Sequence, residues 1–204
     1  MLLRRGAEAE IKLTTWLARE VISKHRVPKG YRLSELDNAL RIVRTKKEAK
    51  LISDARRLGV STPIIYDIDL EEHKIIMEYI DGPRVKDILS ELDTDARREI
   101  FNKIGRDIGI LHKNNIVHGD LTTSNILKRG DKLYFIDFSL GEVSEDIEAK
   151  GVDMHLLMEA FESTHPELMD EFQYIIEGYK KEFSRAGEVV TKIQEIIKRG
   201  RYTT

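Results

Sequence analysis

The amino-acid sequence predicts an α+β fold built as two lobes: a small antiparallel sheet with one helix, then a reduced, mainly helical lobe. Three observations predict it. Strand-like apolar runs crowd residues 1–80, helix-period patterns dominate residues 81–204, and Asp81-Gly82-Pro83 punctuates the change. With 204 residues and 41% hydrophobic content, the chain can bury one large core or two small lobes that share a cleft.

Arg4 to Leu13 and Thr15 to His25 alternate as two strands around a short turn. Arg44 to Leu58 reads as a helix. Thr45 and Glu48 have capping-box spacing, Leu51, Ile52, Ala55 and Leu58 form an apolar face, and Gly59 stops it. Pro63 opens the strand IIYDID, and Lys74 to Ile80 follows an acidic turn, so these two form a hairpin. Beyond the Asp81-Gly82-Pro83 turn, Ile100, Ile104, Ile108 and Leu111 mark a long helix that frays at Asn114-Asn115. Two short strands, Ile126-Leu127 and Leu133 to Ile136, flank a Gly130-Asp131 turn. Three helical patterns complete the chain. Val152, Leu156 and Phe161 mark the first, Phe172, Ile176 and Tyr179 the second with Pro166 in its opening turn, and Val189, Ile193 and Ile197 the third.

Charged residues make up 34% of the chain, against about 25% in an ordinary globular domain. The 34 Lys and Arg nearly balance the 36 Asp and Glu, for a net charge of -2, so any nucleic-acid contact has to come from a local patch. The absence of cysteine excludes disulfides and thiolate zinc sites and suits a reducing compartment. No segment approaches the ~18 apolar residues of a membrane span, and MLLRRGAEAE carries no signal-peptide apolar stretch, so a cytoplasmic protein is expected.

The chemistry concentrates in IVHGDLTTSNIL, residues 116–127. Protein kinases carry H-R-D-x-x-x-x-N, whose Asp receives the substrate proton and whose Asn holds a magnesium ion. His118-Gly119-Asp120 and Asn125 have that spacing, and Asp137-Phe138-Ser139 ends an apolar strand where kinases carry D-F-G. Phosphoryl transfer needs cations on the phosphate oxygens and a carboxylate that aligns the acceptor. Either segment alone could be only a turn, since Asp and Asn favour turns. Both together, in order and after the hinge, outweigh that reading.

A strand lysine must also reach the phosphates, and a helix glutamate must orient it. Lys24 and Glu48 stand in the right order. Taken singly, Lys24 could be a solvated edge lysine and Glu48 only the partner of Thr45, and Lys12, Lys29 and Lys46 compete. Met77-Glu78-Tyr79-Ile80 falls where a hinge should meet adenine, through the carbonyl of Glu78 and the N–H of Ile80. Gly6 and Ala7 fall at the phosphate loop, where kinases carry G-x-G-x-x-G.

GAEAEI (Gly6 to Ile11), KHRVPKGYR (Lys24 to Arg32), RTKKEA (Arg44 to Ala49) and HGDLTTSN together resemble the small atypical kinase subunit of the KEOPS complex, the PRPK family. The resemblance runs over nearly the whole chain and includes VDMHLL, STHPE and the terminal RGR. It implies a cytosolic serine/threonine kinase or ATPase that uses ATP and Mg2+. It also implies assistance to threonylcarbamoyl-adenosine synthesis on tRNA, beside the KEOPS catalytic subunit and the other KEOPS subunits. Carried onto this chain, the family's catalytic role falls on Asp120, its nucleotide contacts on Lys24 and Glu48, and its metal ligands on Asn125 and Asp137.

Several departures from ordinary kinases matter. The single Gly6 implies a stiffer flap, and Glu8 brings negative charge toward phosphate unless a cation answers it. Gly119 replaces the arginine that pairs with a phosphorylated activation loop, and no A-P-E follows, so no such switch is expected. Ser139 replaces the last residue of D-F-G and either locks Asp137 or slows cycling. The lobe from Asp81 onward leaves little room for peptide-docking helices, which favours partner-coupled ATP hydrolysis or autophosphorylation. His112 is expected under the catalytic loop, and His118 is expected to hold that loop through the backbone. In residues 192–204, Lys192, Lys198, Arg199 and Arg201 outnumber the single Glu195, as a solvated helix end or a tRNA-binding tail. Two competing functions remain: a small-molecule phosphotransferase of the choline or aminoglycoside type, and a nucleotide-sensing scaffold for tRNA and partners.

Overall fold

The computed structural model describes residues 1–6 and 8–201. A five-stranded antiparallel sheet comes first: β1 (Leu2–Arg5), β2 (Ala9–Trp16), β3 (Arg19–Arg26), β4 (Ile65–Asp69) and β5 (Lys74–Glu78), in the order β1-β2-β3-β5-β4. The turn between β2 and β3 sits at Leu17-Ala18, later than the sequence suggested. Both residues are left-handed, with φ of 47° and 60°. Such a two-residue turn matches strand twist and usually shows as Asn-Gly, so Leu-Ala leaves no signal.

Helix α1 spans Ser34–Arg57 and starts well before Arg44. Thr45 therefore caps nothing; it lies buried within the helix, its Oγ1 without a hydrogen-bond partner. The early turns escaped notice because Leu36 and Val43 face solvent and break the apolar period. Asp37 steadies them by accepting from Arg41 at 2.8 Å.

The second lobe holds α2 (Val85–Ile88), α3 (Thr94–Lys113), α4 (Ile147–Thr164), α5 (Phe172–Glu182) and α6 (Ala186–Arg201). Two small strand pairs brace it: β6 (Ile116–Val117) with β9 (Glu142–Val143), and β7 (Ile126–Arg129) with β8 (Lys132–Phe135). Pro166 opens a 3-10 turn, Pro166–Glu171, and α5 begins only after it. Helices α3 and α5 touch backbone to backbone. A Cβ on Gly105 would lie 1.9 Å from the Ile175 carbonyl, and one on Gly178 would lie 2.1 Å from that of Asn102.

The main core is the second lobe's, and it reaches across the hinge. Leu51, Ile52, Ala55 and Val60 join the same buried cluster as Phe101, Ile104, Phe138 and Leu157. Near the sheet the buried cluster is small, Ala49, Ile75 and Met77, with Ile22 and Ile65 against it. α1 thus wedges between the lobes, and the sheet's apolar face beyond it lines a cleft.

Candidate functional site

The cleft between sheet and helical lobe encloses about 360 Å³. Its apolar walls include Ile11, Ile22, Met77, Leu127 and Ile136, with Glu78 and Ile80 at the hinge; Lys24, Glu48, Asn125 and Asp137 gather among them. An apolar slot with a few convergent polar groups is the usual form of a small-molecule site, and its size fits one.

Strand geometry explains the floor. Ile22, Lys24 and Arg26 alternate onto one face of β3, while His25 turns to the other. Lys24 Nζ lies 2.5 Å from Glu48 Oε1 and 2.7 Å from Asp137 Oδ1. Arg26 Nη2 donates to the other Glu48 oxygen at 2.6 Å. Glu48 is therefore shared by two buried cations. Burial pulls the Lys24 ammonium down, but Glu48 and Asp137 outweigh it and hold it above the usual lysine range. Burial pushes the Asp137 carboxyl up, yet Lys24 and the Ser139 hydroxyl bring it down to about 2.

The loop around Asp120 is built on Asp153, from the VDMHLL string on α4. Its carboxylate accepts the amides of His118 at 2.8 Å and Gly119 at 2.9 Å, and lies 3.2 Å from His112 Nε2. Burial raises the Asp153 carboxyl, and the His112 contact with these bonds lowers it further, so it stays ionised. His118 accepts the Asp120 amide on Nδ1 at 3.3 Å and donates from Nε2 to the Ile136 carbonyl at 3.1 Å. That pattern needs a neutral ring, and burial lowers the His118 pKa accordingly. One imidazole thus ties the Asp120 loop to the strand end that delivers Asp137.

Gly119 is required by geometry. Its φ is +82°, and a Cβ there would meet the Leu140 carbonyl at 2.3 Å. The arginine of ordinary kinases has no room at this position.

Asn125 Nδ2 donates to the carbonyl and to Oδ2 of Asp120, each at 2.8 Å. Asn125 Oδ1 is left as an acceptor. Asp137 is left-handed at φ 66°, and Ser139 Oγ and Lys24 Nζ both donate to its Oδ1. Its Oδ2 is left as a second oxygen. Two hard oxygen donors beside a phosphate-sized space fit Mg2+, which is bound through one or two carboxylates plus substrate phosphates.

Gly6 closes a turn onto the Ala9 carbonyl at 3.0 Å, whereas Ala7 lies outside the described residues. Glu8 is answered by Arg44, 2.6 Å away. Sequence reasoning missed Arg26 and Asp153. Arg26 stood in plain view two residues after Lys24, the spacing that puts both on one strand face. Asp153 gave no signal beyond its place in a family string. In the tail, Arg199 pairs with Glu148 at 2.5 Å and Lys192 with Glu195 at 2.6 Å, while Lys198 is exposed. The Arg201 side chain lies outside the described residues. Among the described residues, no helix is long and apolar enough to cross a membrane.

Residues 17–173 match the family model of the RIO domain. The chain is 42% identical over 210 residues to the KEOPS complex subunit Bud32 of Pyrococcus abyssi, covering 98% of this chain and 96% of that protein. It is 47% identical over 199 residues to a probable bifunctional tRNA threonylcarbamoyladenosine biosynthesis protein of Methanosphaera stadtmanae, covering 97% of this chain and 36% of that one. The chain thus spans about a third of the length of its bifunctional relatives. Among solved structures, WaaP in complex with acyl carrier protein is similar, with a TM-score of 0.68 at 14% identity, over 97% of this chain and 87% of that one. At that identity the likeness is one of fold.

Proposed function

The chain belongs to the RIO-domain family of atypical kinases and groups there with the KEOPS subunit Bud32, and on that premise we propose that it is an ATP-dependent phosphotransferase working within a KEOPS complex. Its service there is to threonylcarbamoyladenosine formation on tRNA, the process named in its bifunctional relatives, in company with the complex's catalytic subunit. The observation that carries the nucleotide reading is the meeting of Lys24, Glu48, Asn125 and Asp137 on one cleft between the lobes.

Adenine lies against the apolar wall and bonds the main chain of Glu78 and Ile80. Lys24, held by Glu48, meets the phosphates. Asn125 Oδ1 and Asp137 Oδ2 hold Mg2+, which when bound neutralises charge on the phosphate oxygens. Asp120, fixed by Asn125, accepts the proton of the attacking hydroxyl or water. Locked loops without a phosphorylation switch, and the short segment from Ser139 to α4, favour ATP hydrolysis or autophosphorylation on serine or threonine over turnover of free protein substrates. The exposed cations of α6, Lys198 among them, offer a contact for tRNA phosphates.

ATP turnover by wild type, Asp120→Asn and Asp137→Asn tests this reading. Loss of a general base removes roughly 10²–10⁴ of rate. Asp120→Asn is expected to lose that much while still binding nucleotide, and undiminished turnover in both variants would end the proposal.

A further inference from the structure

Three strings that distinguish this sequence, GAEAEI, KHRVPKGYR and RTKKEA, converge in space. Glu8 comes from the first, Lys24 and Arg26 from the second, Arg44 and Glu48 from the third. Together they make an alternating chain of charge. Lys24 meets Glu48 at 2.5 Å, Glu48 meets Arg26 at 2.6 Å, Arg26 meets Glu8 at 3.4 Å, and Glu8 meets Arg44 at 2.6 Å. The inner end is buried and the outer end half exposed: 3% for the Arg26 side chain, 38% for Glu8 and 36% for Arg44.

Beside this chain lies a second hollow of about 150 Å³, lined by Gly6, Glu8, Lys24, Arg26, Asp137 and Ser139 among others. It shares Lys24 and Asp137 with the main cleft and so marks its phosphate end. A free carboxylate here would repel a phosphate. Arg44 and Arg26 neutralise it and, by the same bonds, join the flap to α1 and β3. Burial pushes the Glu8 carboxyl up, but the Arg44 hydrogen bond and the charges of Arg44, Arg26 and Lys29 hold it below the usual range, so it is ionised at neutral pH. Because Arg26 grips Glu48 as well as Glu8, one guanidinium couples the flap to the glutamate that orients Lys24.

We propose that Glu8 is a positioning residue for bound nucleotide, fixing the flap over the phosphate end of the cleft through Arg44 and Arg26. In other kinases a glycine-rich loop covers the phosphates; here side-chain ion pairs take over that task. The proposal rests on the nucleotide reading of the cleft.

Stopped-flow release of a fluorescent ATP analogue with Mg2+ tests it, using the full chain as wild type, Glu8→Gln, Arg44→Gln and the double variant. Each single variant is expected to release the analogue roughly two- to fivefold faster, the range that a half-exposed ion pair supplies. KM rises and kcat does not fall. The double variant releases no faster than Glu8→Gln, because that change alone already breaks the pair with Arg44, and Arg44→Lys keeps most of the wild-type hold. Both side chains are more than a third exposed, so the fold survives, with thermal melting as the control. Wild-type release from Glu8→Gln, or additive acceleration in the double variant, overturns the positioning role and leaves the nucleotide reading standing. A wild type that binds no analogue overturns both.

Discussion

The side-chain amide of Asn125 donates to both the carbonyl and the carboxylate of Asp120, each at 2.8 Å. One NH₂ group therefore fixes the proposed proton acceptor, and its geometry leaves Oδ1 of the same amide for a cation. The loop and the proposed metal ligand form a single hydrogen-bonded unit. Asn125→Asp replaces this donor with a second carboxylate, so Asp120 loses the hydrogen bonds that hold it and gains a like charge beside it. ATP turnover is expected to fall by roughly 10²-fold, the cost of a misplaced reacting group; unchanged turnover means that this hydrogen bond does not position Asp120 for the reaction.

Asp137 links the site to acid stability. Its carboxyl falls from 3.8 to about 2 because Lys24 and Ser139 outweigh burial. A lowered carboxylate stabilises the fold fully above its unfolded pKa and loses that contribution as pH falls through the folded one. Between pH 3.8 and about 2, wild type should therefore lose about 2 kcal/mol more stability than Asp137→Asn does. Urea melts across that window measure the difference.

Gly119→Arg restores the sequence of ordinary kinases, and it should fail. The left-handed backbone and the Leu140 carbonyl at 2.3 Å leave no space for a Cβ. Strain and displacement together should cost about 2 kcal/mol or more. Thermal melting is expected to fall for Gly119→Ala and further for Gly119→Arg, and activity lost in either variant should not return.

The tail gives a charge prediction. Lys198 is exposed on α6, where Glu148 and Glu195 engage Arg199 and Lys192, and Arg201 is the last residue of that helix. Removing two phosphate contacts should lower the slope of log affinity against log salt by about two. Lys198→Ala with Arg201→Ala, titrated with tRNA at several salt concentrations, reads it directly; an unchanged slope assigns those cations to the helix end alone.

Much of the candidate site is legible in the sequence because chemistry dictates residue type and spacing. His118, Asp120, Asn125 and Asp137 follow from one another along the chain, and Lys24 and Glu48 from the order of strand, helix and hinge. Their convergence on one cleft needed the fold, since each alone had a bland reading. Glu48 is the clearest case. Its spacing from Thr45 suggested a cap, but a helix that begins at Ser34 puts both within its interior, where Glu48 meets two cations instead. Arg26 shares the face of Lys24 by spacing, but periodicity gives a face and not a partner. Asp153 was hidden because it acts on amides from a distant loop, which no local pattern records. The β2–β3 turn was hidden because Leu17 and Ala18 adopt a backbone that favours glycine and asparagine.

The most direct test of the central claim is a structure of the chain with Mg2+ and a non-hydrolysable ATP analogue. Adenine is expected against the main chain of Glu78 and Ile80, the phosphates beside Lys24, and the cation touching Asn125 Oδ1 and Asp137. A nucleotide seated outside the cleft, or a cation that touches neither side chain, contradicts that claim.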